Sequence, residues 1–207
     1  MVRKSIEDLF DAAITLDYDG LLACLNDDID PDSGKEDRYS SAIWILRAAC
    51  KANLADKDAV KCIRLVHEHG ADLNYTWNDG YKVLDAIEVG EVEEGSERNV
   101  HGVVKYILTH GGHNGRDRDS LICELSKHNS IMTKEEFERF EQIGDTYLKA
   151  KEEGIELNVD DAKAVERYEK QHTAALSGRK DRKKSVCSRL KQGEVKGRPC
   201  RPKGNLK

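Results

Sequence analysis

The residues best suited to metal binding or acid–base chemistry are Cys62 and four of the five histidines between positions 62 and 113. These four histidines are His67, His69, His110 and His113. Thiolate and imidazole groups are zinc ligands, but a strong zinc site carries closely spaced pairs such as Cys-x-x-Cys, which these residues lack. His69 and His110 instead fall at corresponding ends of two predicted helices, where an imidazole can hydrogen-bond to the last carbonyl groups. We expect a structural role for both, and neither a metal site nor a cofactor.

Catalysis requires a nucleophile, a base and an orienting group at workable spacing. The sequence contains no Gly-rich phosphate-binding loop, no Gly-x-Ser-x-Gly pattern and no pair of histidines on one turn of a predicted helix. Its 39 acidic residues match a solvated surface better than a set of catalytic acids. We therefore expect a protein that is not an enzyme.

Aromatic residues in polar surroundings are the better candidates for contact with a partner. The loop after the second helix of one predicted pair contains Tyr75, Trp77, Asn78 and Asp79. Large aromatic rings are costly to leave in water, and Trp and Tyr dominate interface hot spots. We predict these four residues and Trp44 as partner-binding residues. Two alternatives stay open, since Trp77 can fold onto the next repeat and Trp44 can face the core instead of a groove.

The charge is divided between an acidic body and a basic tail. Residues 178–207 hold 12 basic and 2 acidic residues, a net charge of +10, which leaves −15 for residues 1–177. The tail has few large apolar residues, so it cannot bury enough surface to offset the entropy of ordering, and we expect it to be disordered. Long-range electrostatics draw basic partners to the body and nucleic acid to the tail.

Two basic clusters in the tail suggest specific roles. The first resembles a nuclear localisation signal and consists of Arg179, Lys180, Arg182, Lys183 and Lys184. The second consists of Lys196, Gly197, Arg198, Pro199, Arg201 and Lys203. It is similar to the core of an AT-hook, in which Gly-Arg-Pro lies extended in a narrow minor groove of DNA, although Lys196 stands where an arginine is usual. The alternative is a solvated tail that only screens the acidic body.

These candidate residues must be positioned by helices. Apolar residues recur three and four positions apart through residues 1–177, which contain only one proline. Three segments align, each with an apolar stripe before a polar turn, and two of them have a glycine stop: 19–32, 61–74 and 102–115. A second apolar helix precedes each segment, over about 6–14, 42–52 and 81–89. Such a helical pair cannot bury its apolar face alone, so the sequence predicts that the pairs stack.

The turn from Glu68 to Asn74, Glu-His-Gly-Ala-Asp-Leu-Asn, resembles the end of an ankyrin repeat. Gly80 and Leu84 resemble the residues that flank the Thr-Pro-Leu-His turn of that family. The resemblance implies an all-α, ankyrin-type helix-turn-helix solenoid over residues 5–115, with repeats at about 5–34, 38–78 and 79–115. Lys-Val-Leu-Asp replaces Thr-Pro-Leu-His, and the copies lie 41 and 42 residues apart, against about 33 in the family. The alternative is an unrelated helical bundle.

Residues 116–177 follow the aligned segments, and we expect either a helical cap or a decayed fourth repeat. Thr133 and Glu136 have the spacing of a capping box, which predicts a helix beginning there. Gly154 is placed to end that helix, and a last helix is predicted from about residue 160 to 176. Residues 178–207 form the predicted disordered basic tail.

The sequence has no apolar run long enough for a membrane span and no secretion signal, and its six cysteines are scattered. We expect an intracellular protein, cytoplasmic or nuclear. The predicted function is that of a monomeric adaptor or inhibitor that binds a protein partner through the repeat groove and the loop tips. The alternative is a nucleic-acid- or chromatin-associated protein, whose tail binds DNA or RNA and whose repeats recruit a partner.

Overall fold

A computed structural model describes most of residues 3–172. The described residues are 3–33, 40–50, 56–76, 80, 82–89, 100–113, 115, 118–127 and 132–172. This part of the chain is helical and contains no β-strand, which confirms the predicted all-helical class. Within the same residues, none of the helices combines the length and the apolar character that crossing a membrane requires. The predictions for Trp77, Asn78, Asp79 and the tail from residue 178 lie outside the described residues.

Seven α-helices and one 3-10 helix are described by their bounds. They are α1 (Ile6–Thr15), α2 (Tyr18–Asn26), α3 (Ser41–Ala49), α4 (Asp56–Glu68), the 3-10 helix (Val83–Val89), α5 (His101–Thr109), α6 (Arg118–Lys127) and α7 (Lys134–Glu152). All of them belong to one compact unit, residues 1–161. The second unit, residues 162–207, has a described helical segment over 162–172 in which Val165 and Tyr168 are buried. The domain boundaries predicted at residues 115 and 177 stay predictions.

The helices of the first unit contact one another in two rows. One row runs from α1 to α3, the 3-10 helix and α6, and the other runs from α2 to α4, α5 and α7. Between the rows, α1 packs on α2 and α3 packs on α4. One continuous apolar core includes the fully buried Leu9, Leu21, Ile45, Ile63 and Ile107. The apolar stripes found in the sequence are therefore the faces that these helices bury against their neighbours.

The four helices of the second row share one type of C-terminal end. Each is followed by a residue with positive φ, namely Asp28 (59°), Gly70 (99°), Gly111 (86°) and Gly154 (72°). The N–H of the next residue then donates to a carbonyl oxygen five positions back, as from Ala71 to Val66 at 3.0 Å and from Ile155 to Ala150 at 2.8 Å. This is the hydrogen bond of a Schellman motif. The predicted glycine stops are confirmed, and the same ending recurs every 41 to 43 residues.

Polar side chains in the turns after α2 and α4 link each turn to the next. Asp32 Oδ2 accepts a hydrogen bond from the backbone N–H of Asp72 at 2.6 Å. Asn74 Oδ1 accepts one from the backbone N–H of His113 at 2.8 Å, and its Nδ2 donates to the carbonyl oxygen of Gly111. Asp32 and Asn74 hold corresponding positions in the sequence alignment. These hydrogen bonds therefore fix the register of successive turns.

Asp56 makes a similar link between helix starts. The residue before α5, Val100, provides no side-chain cap. Asp56, the first residue of α4, instead accepts hydrogen bonds from the backbone N–H groups of Gly102 at 2.9 Å and Val103 at 3.0 Å. A Cβ atom at residue 102 would lie 2.5 Å from the Asp56 carboxylate, so a side chain there would have to displace this acceptor. A neighbouring helix thus satisfies N–H groups that a helix usually has capped by its own preceding residue.

We predict that Asp56→Ala lowers the free energy of unfolding by about 1 to 2 kcal/mol, because two N–H groups of α5 lose their acceptor. Urea denaturation followed by far-UV circular dichroism measures the change. Asp58→Ala is the matched control in the same turn of α4. Asp58 makes an exposed 3.6 Å ion pair with Lys61, so its loss should cost less than about 0.5 kcal/mol. Equal losses for the two variants would contradict the cross-helix cap.

Burial of the Asp32 side chain destabilises its ionised form. Among the described residues, Asp32 Oδ1 is buried and has no hydrogen-bond partner. Burial raises the pKa of the Asp32 carboxyl from 3.8 to about 6, against the opposing effect of the hydrogen bond from Asp72. At the corresponding position, Asn74 carries an amide that donates where Asp32 has only acceptors. The carboxylate is therefore the less suitable group at this position of the turn.

We predict that Asp32→Asn stabilises the protein by about 1 kcal/mol at pH 7, because the amide keeps the acceptor and removes a buried charge. The stabilising effect of the protonated wild-type carboxyl is complete below pH 3.8 and is lost as the pH rises through about 6. The variant should not lose this stability as the pH rises, which thermal unfolding between pH 4 and 7 measures. Asp11→Asn, an exposed change on α1, is the control for charge alone. A variant less stable than wild type at pH 7 would refute this assignment.

Candidate functional site

Trp44 and Tyr75 are the two predicted partner-binding residues that the structure describes, and they lie on different elements. Trp44 lies on α3, and Tyr75 lies in the turn after α4. Both are partly buried and pack against the core. The Trp44 ring meets Phe10 edge-on, with 6.5 Å between centroids, and the Arg47 guanidinium lies over it at 4.9 Å. Of the two alternatives for Trp44, packing against the core is therefore the one observed for its ring.

The histidine and cysteine candidates have structural partners. The Nδ1–H of His69 donates to the carbonyl oxygen of Leu65 at 2.9 Å, and that of His110 donates to the carbonyl oxygen of Tyr106 at 2.8 Å. The predicted hydrogen bonds at the two helix ends are confirmed. Cys62 is buried, and burial raises its pKa to about 12, so it stays a thiol. Within the described ranges, no group of three or more His, Cys, Asp or Glu side chains is arranged to hold a metal ion.

A cavity of about 630 Å³ lies at the C-terminal ends of three helices. Its wall is formed by Arg64, His67 and Glu68 of α4, Tyr106 and His110 at the end of α5, Tyr147 and Lys151 of α7, and residues 155–160. The shared helix endings bring these last turns to one level. Among these lining residues, only His67 and His110 belong to a candidate site that the sequence suggests.

Four rings from three helices form the aromatic wall of the cavity. Tyr106 and His110 are stacked, with centroids 3.9 Å apart and an angle of 24° between the planes. His67 meets Tyr106, His110 and Tyr147 edge-on at 5.9, 5.4 and 6.3 Å, and His110 meets Tyr147 at 5.1 Å. Edge-to-face and offset-stacked contacts are the favoured geometries of ring pairs. The wall is therefore a packed unit whose rings hold one another in place.

Burial keeps these rings uncharged at neutral pH. It lowers the pKa of His67 to about 4, and His67 Nδ1 is hydrogen-bonded to the Tyr106 hydroxyl at 3.0 Å. Burial also lowers the pKa of His110, against the opposing effect of its hydrogen bond to the Tyr106 carbonyl. The pKa values of Tyr106 and Tyr147 are raised by burial. Because the Nδ1 of His110 carries the donated proton, its Nε2 has a lone pair and can only accept.

Charged side chains frame this aromatic wall. The Arg64 guanidinium lies 5.6 Å from the centroid of Tyr106, and its Nη2 is 3.4 Å from Asp160 Oδ2. The Lys151 ammonium lies 6.0 Å from the centroid of Tyr147. The other charged groups of the lining are the carboxylates of Glu68 and Glu156. The cavity thus combines uncharged rings with three carboxylates and two cations.

Gly144 lets α7 approach α5 closely enough to complete the wall. It is buried, and a Cβ atom there would collide with the carbonyl oxygen of Leu108 and the backbone of Gly111. This backbone contact places Tyr147, three residues later, against His110. The available sequence signal was a glycine inside an otherwise strong helical pattern, which costs about 1 kcal/mol relative to alanine and so needs a packing reason.

Comparisons of the chain with protein-family models, with curated proteins and with solved structures found no match. The case for a function therefore comes from the cavity and from the arrangement of the helices around it. The main features of the cavity are the aromatic wall and the surrounding charges. The residues concerned are Arg64, His67, Glu68, Tyr106, His110, Tyr147, Lys151, Glu156 and Asp160.

Proposed function

We propose that this chain is an ankyrin-type helical-repeat protein that binds another protein and catalyses no reaction. The repeat arrangement is supported by the two rows of contacting helices and by the helix ending that recurs at residues 28, 70, 111 and 154. The fourth of these endings favours a decayed fourth repeat, formed by α6 and α7, over an unrelated cap. In the first two turns, the residue two positions after the positive φ accepts a hydrogen bond from the N–H two residues further on, Asp30 from Asp32 at 2.9 Å and Asp72 from Asn74 at 2.8 Å.

The aromatic wall of the cavity is the single observation that carries the binding function. Its four rings are fixed by one another and by three packed helices, so little conformational entropy remains to be lost when a partner binds. Tyrosine is enriched among interface hot spots. At the rim of the cavity, Ile155 is 45 % exposed, which adds an apolar contact. These properties suit recognition of a protein segment.

The same geometry argues against catalysis at this cavity. A general base at neutral pH needs a pKa near the working pH and a free nitrogen within reach of a substrate proton. The pKa of His67 is about 4, and its Nδ1 is hydrogen-bonded to Tyr106. Burial also lowers the pKa of His110, which weakens it as a base although its Nε2 keeps a lone pair. Both imidazoles thus serve the packing of the rings, which supports a binding role.

The predicted contact residues of the loop, Tyr75 to Asp79, extend this proposal to a loop tip. The nucleic-acid alternative rests on residues 178–207, outside the described part of the chain. A cytoplasmic or nuclear location and a monomeric state stay predictions of the sequence.

We predict that Tyr147→Ser lowers affinity for the captured partner at least tenfold, the range of hot-spot truncations. The partner is isolated by affinity capture with the full chain, and its affinity for purified variants is measured by isothermal titration calorimetry. Tyr18→Ser is the matched control, since Tyr18 is 42 % exposed on α2 and lies outside the cavity. Thermal unfolding confirms that both variants are folded. Wild-type affinity in a folded Tyr147→Ser variant would contradict the proposal.

A further inference from the structure

We infer that the cavity accepts a cationic side chain, arginine or lysine, from a basic segment of the partner protein. This inference rests on the proposed function and names the chemistry of the partner at the same cavity. Three properties of the described residues support a cation: the excess of negative groups in the lining, the observed contacts of cations with ring faces, and the charge of the surrounding unit.

Negative groups outnumber positive ones around the cavity. The C-terminal ends of α4, α5 and α7 meet there, and each contributes the partial negative charge of a helix dipole. Glu68, Glu156 and Asp160 add three carboxylates, against the two cations Arg64 and Lys151. The Nε2 of the neutral His110 is a further acceptor, because its Nδ1–H is already donated. A guanidinium or ammonium group would balance this excess of negative charge and donate to the free acceptors.

The faces of the tyrosine rings already attract cations of this chain. The guanidinium of Arg64 lies 5.6 Å from the centroid of Tyr106, and the ammonium of Lys151 lies 6.0 Å from that of Tyr147. The first distance is within the range of a cation–π contact, and the second is at its limit of about 6 Å. Arg64 is held by a 3.4 Å contact with Asp160 between side chains that are 48 % and 61 % exposed. Such an exposed pair is weak, so an incoming arginine can displace Arg64 from Tyr106 and take Asp160 as its partner.

The charge of the whole unit acts in the same direction. Residues 1–161 contain 19 basic and 35 acidic residues, a net charge of −16. A field of this sign concentrates basic segments near the surface and repels acidic ones. An acidic peptide that used Arg64 and Lys151 would have to approach against this field.

Defined peptides test the inference on the full chain. One probe is a twelve-residue peptide of repeated Gly-Arg-Ser, and the other has glutamate in place of each arginine. Binding is followed by NMR at the ring signals of His67 and Tyr147, so that contacts elsewhere on the chain do not contribute. We expect the arginine peptide to shift these signals in a saturable manner and the glutamate peptide to leave them unchanged.

Two substitutions test whether the cavity prefers a positively charged side chain. Glu68→Gln should weaken binding of the arginine peptide about threefold, because it removes a charge that attracts the peptide. Arg64→Gln should strengthen binding about threefold, because it removes a cation that competes with the peptide. Glu135→Gln and Lys61→Gln are the matched controls, since they make the same charge changes at exposed positions of α7 and α4 outside the cavity. The controls should change the affinity less than the cavity variants do.

The results separate this inference from the proposed function. Weaker binding of the arginine peptide in Arg64→Gln, or saturable ring shifts with the glutamate peptide, would overturn the cation site. The inference would equally be overturned if neither peptide shifted the ring signals. In each case a tenfold loss of captured partner in Tyr147→Ser would leave the proposed function standing. Wild-type partner affinity in Tyr147→Ser would instead remove the function itself.

Discussion

Helix α4 buries apolar residues against neighbouring helices on two sides, so its stability depends on those neighbours. Cys62, Ile63 and Val66 have no exposed surface, and α4 contacts both α2 and α5 within its row. A helix of 13 residues is marginal in water by itself, because nucleation is costly and most helical stability in proteins comes from tertiary packing. The helical pairs of this unit must therefore lie side by side, and every other feature depends on that arrangement.

Apolar burial alone does not set the register of the stack, since it has no preferred direction. Polar contacts supply that direction. Asp32 and Asn74 each bind the backbone of the next turn, and Asp56 binds the first amides of the next helix. Because each contact joins corresponding points of neighbouring units, the C-terminal ends of α4 and α5 finish at one level. The rings of His67, Tyr106 and His110 meet for this reason.

The sequence was sufficient for features that depend on a few neighbouring residues. The positive φ angles at Gly70 and Gly111 are those of helix ends, and Thr133 and Glu136 form the predicted capping box, with hydrogen bonds of 3.1 and 3.0 Å. Local chemistry decides such elements. The helix predicted over 81–89 differs in form, since the described part is a 3-10 helix from Val83 to Val89. Apolar spacing over so short a segment does not distinguish the tighter helix from an α-helix.

Features that join distant segments were beyond sequence reasoning. In the sequence, Asp56 is one acidic residue among many. The two hydrogen bonds that it accepts from α5 depend on the packing of one helix against another. Gly144 had no evident purpose until α7 was seen to pack against the backbone of α5. The cavity is lined by residues from three helices, and no local sequence pattern indicates how those helices are positioned along one another. The sequence draws attention to His67 and His110 for their chemistry, but not to the ring contacts that they make with Tyr106 and Tyr147.

The central claim is that α4, α5 and α7 lie side by side with their C-terminal ends level. Nuclear Overhauser contacts between ring protons, measured on the full chain with labelled histidine and tyrosine, test it most directly. The account predicts contacts from His67 to Tyr106, to His110 and to Tyr147, whose ring centroids lie 5.4 to 6.3 Å away. A spectrum with assigned rings and no contact between His67 and either His110 or Tyr147 would contradict it.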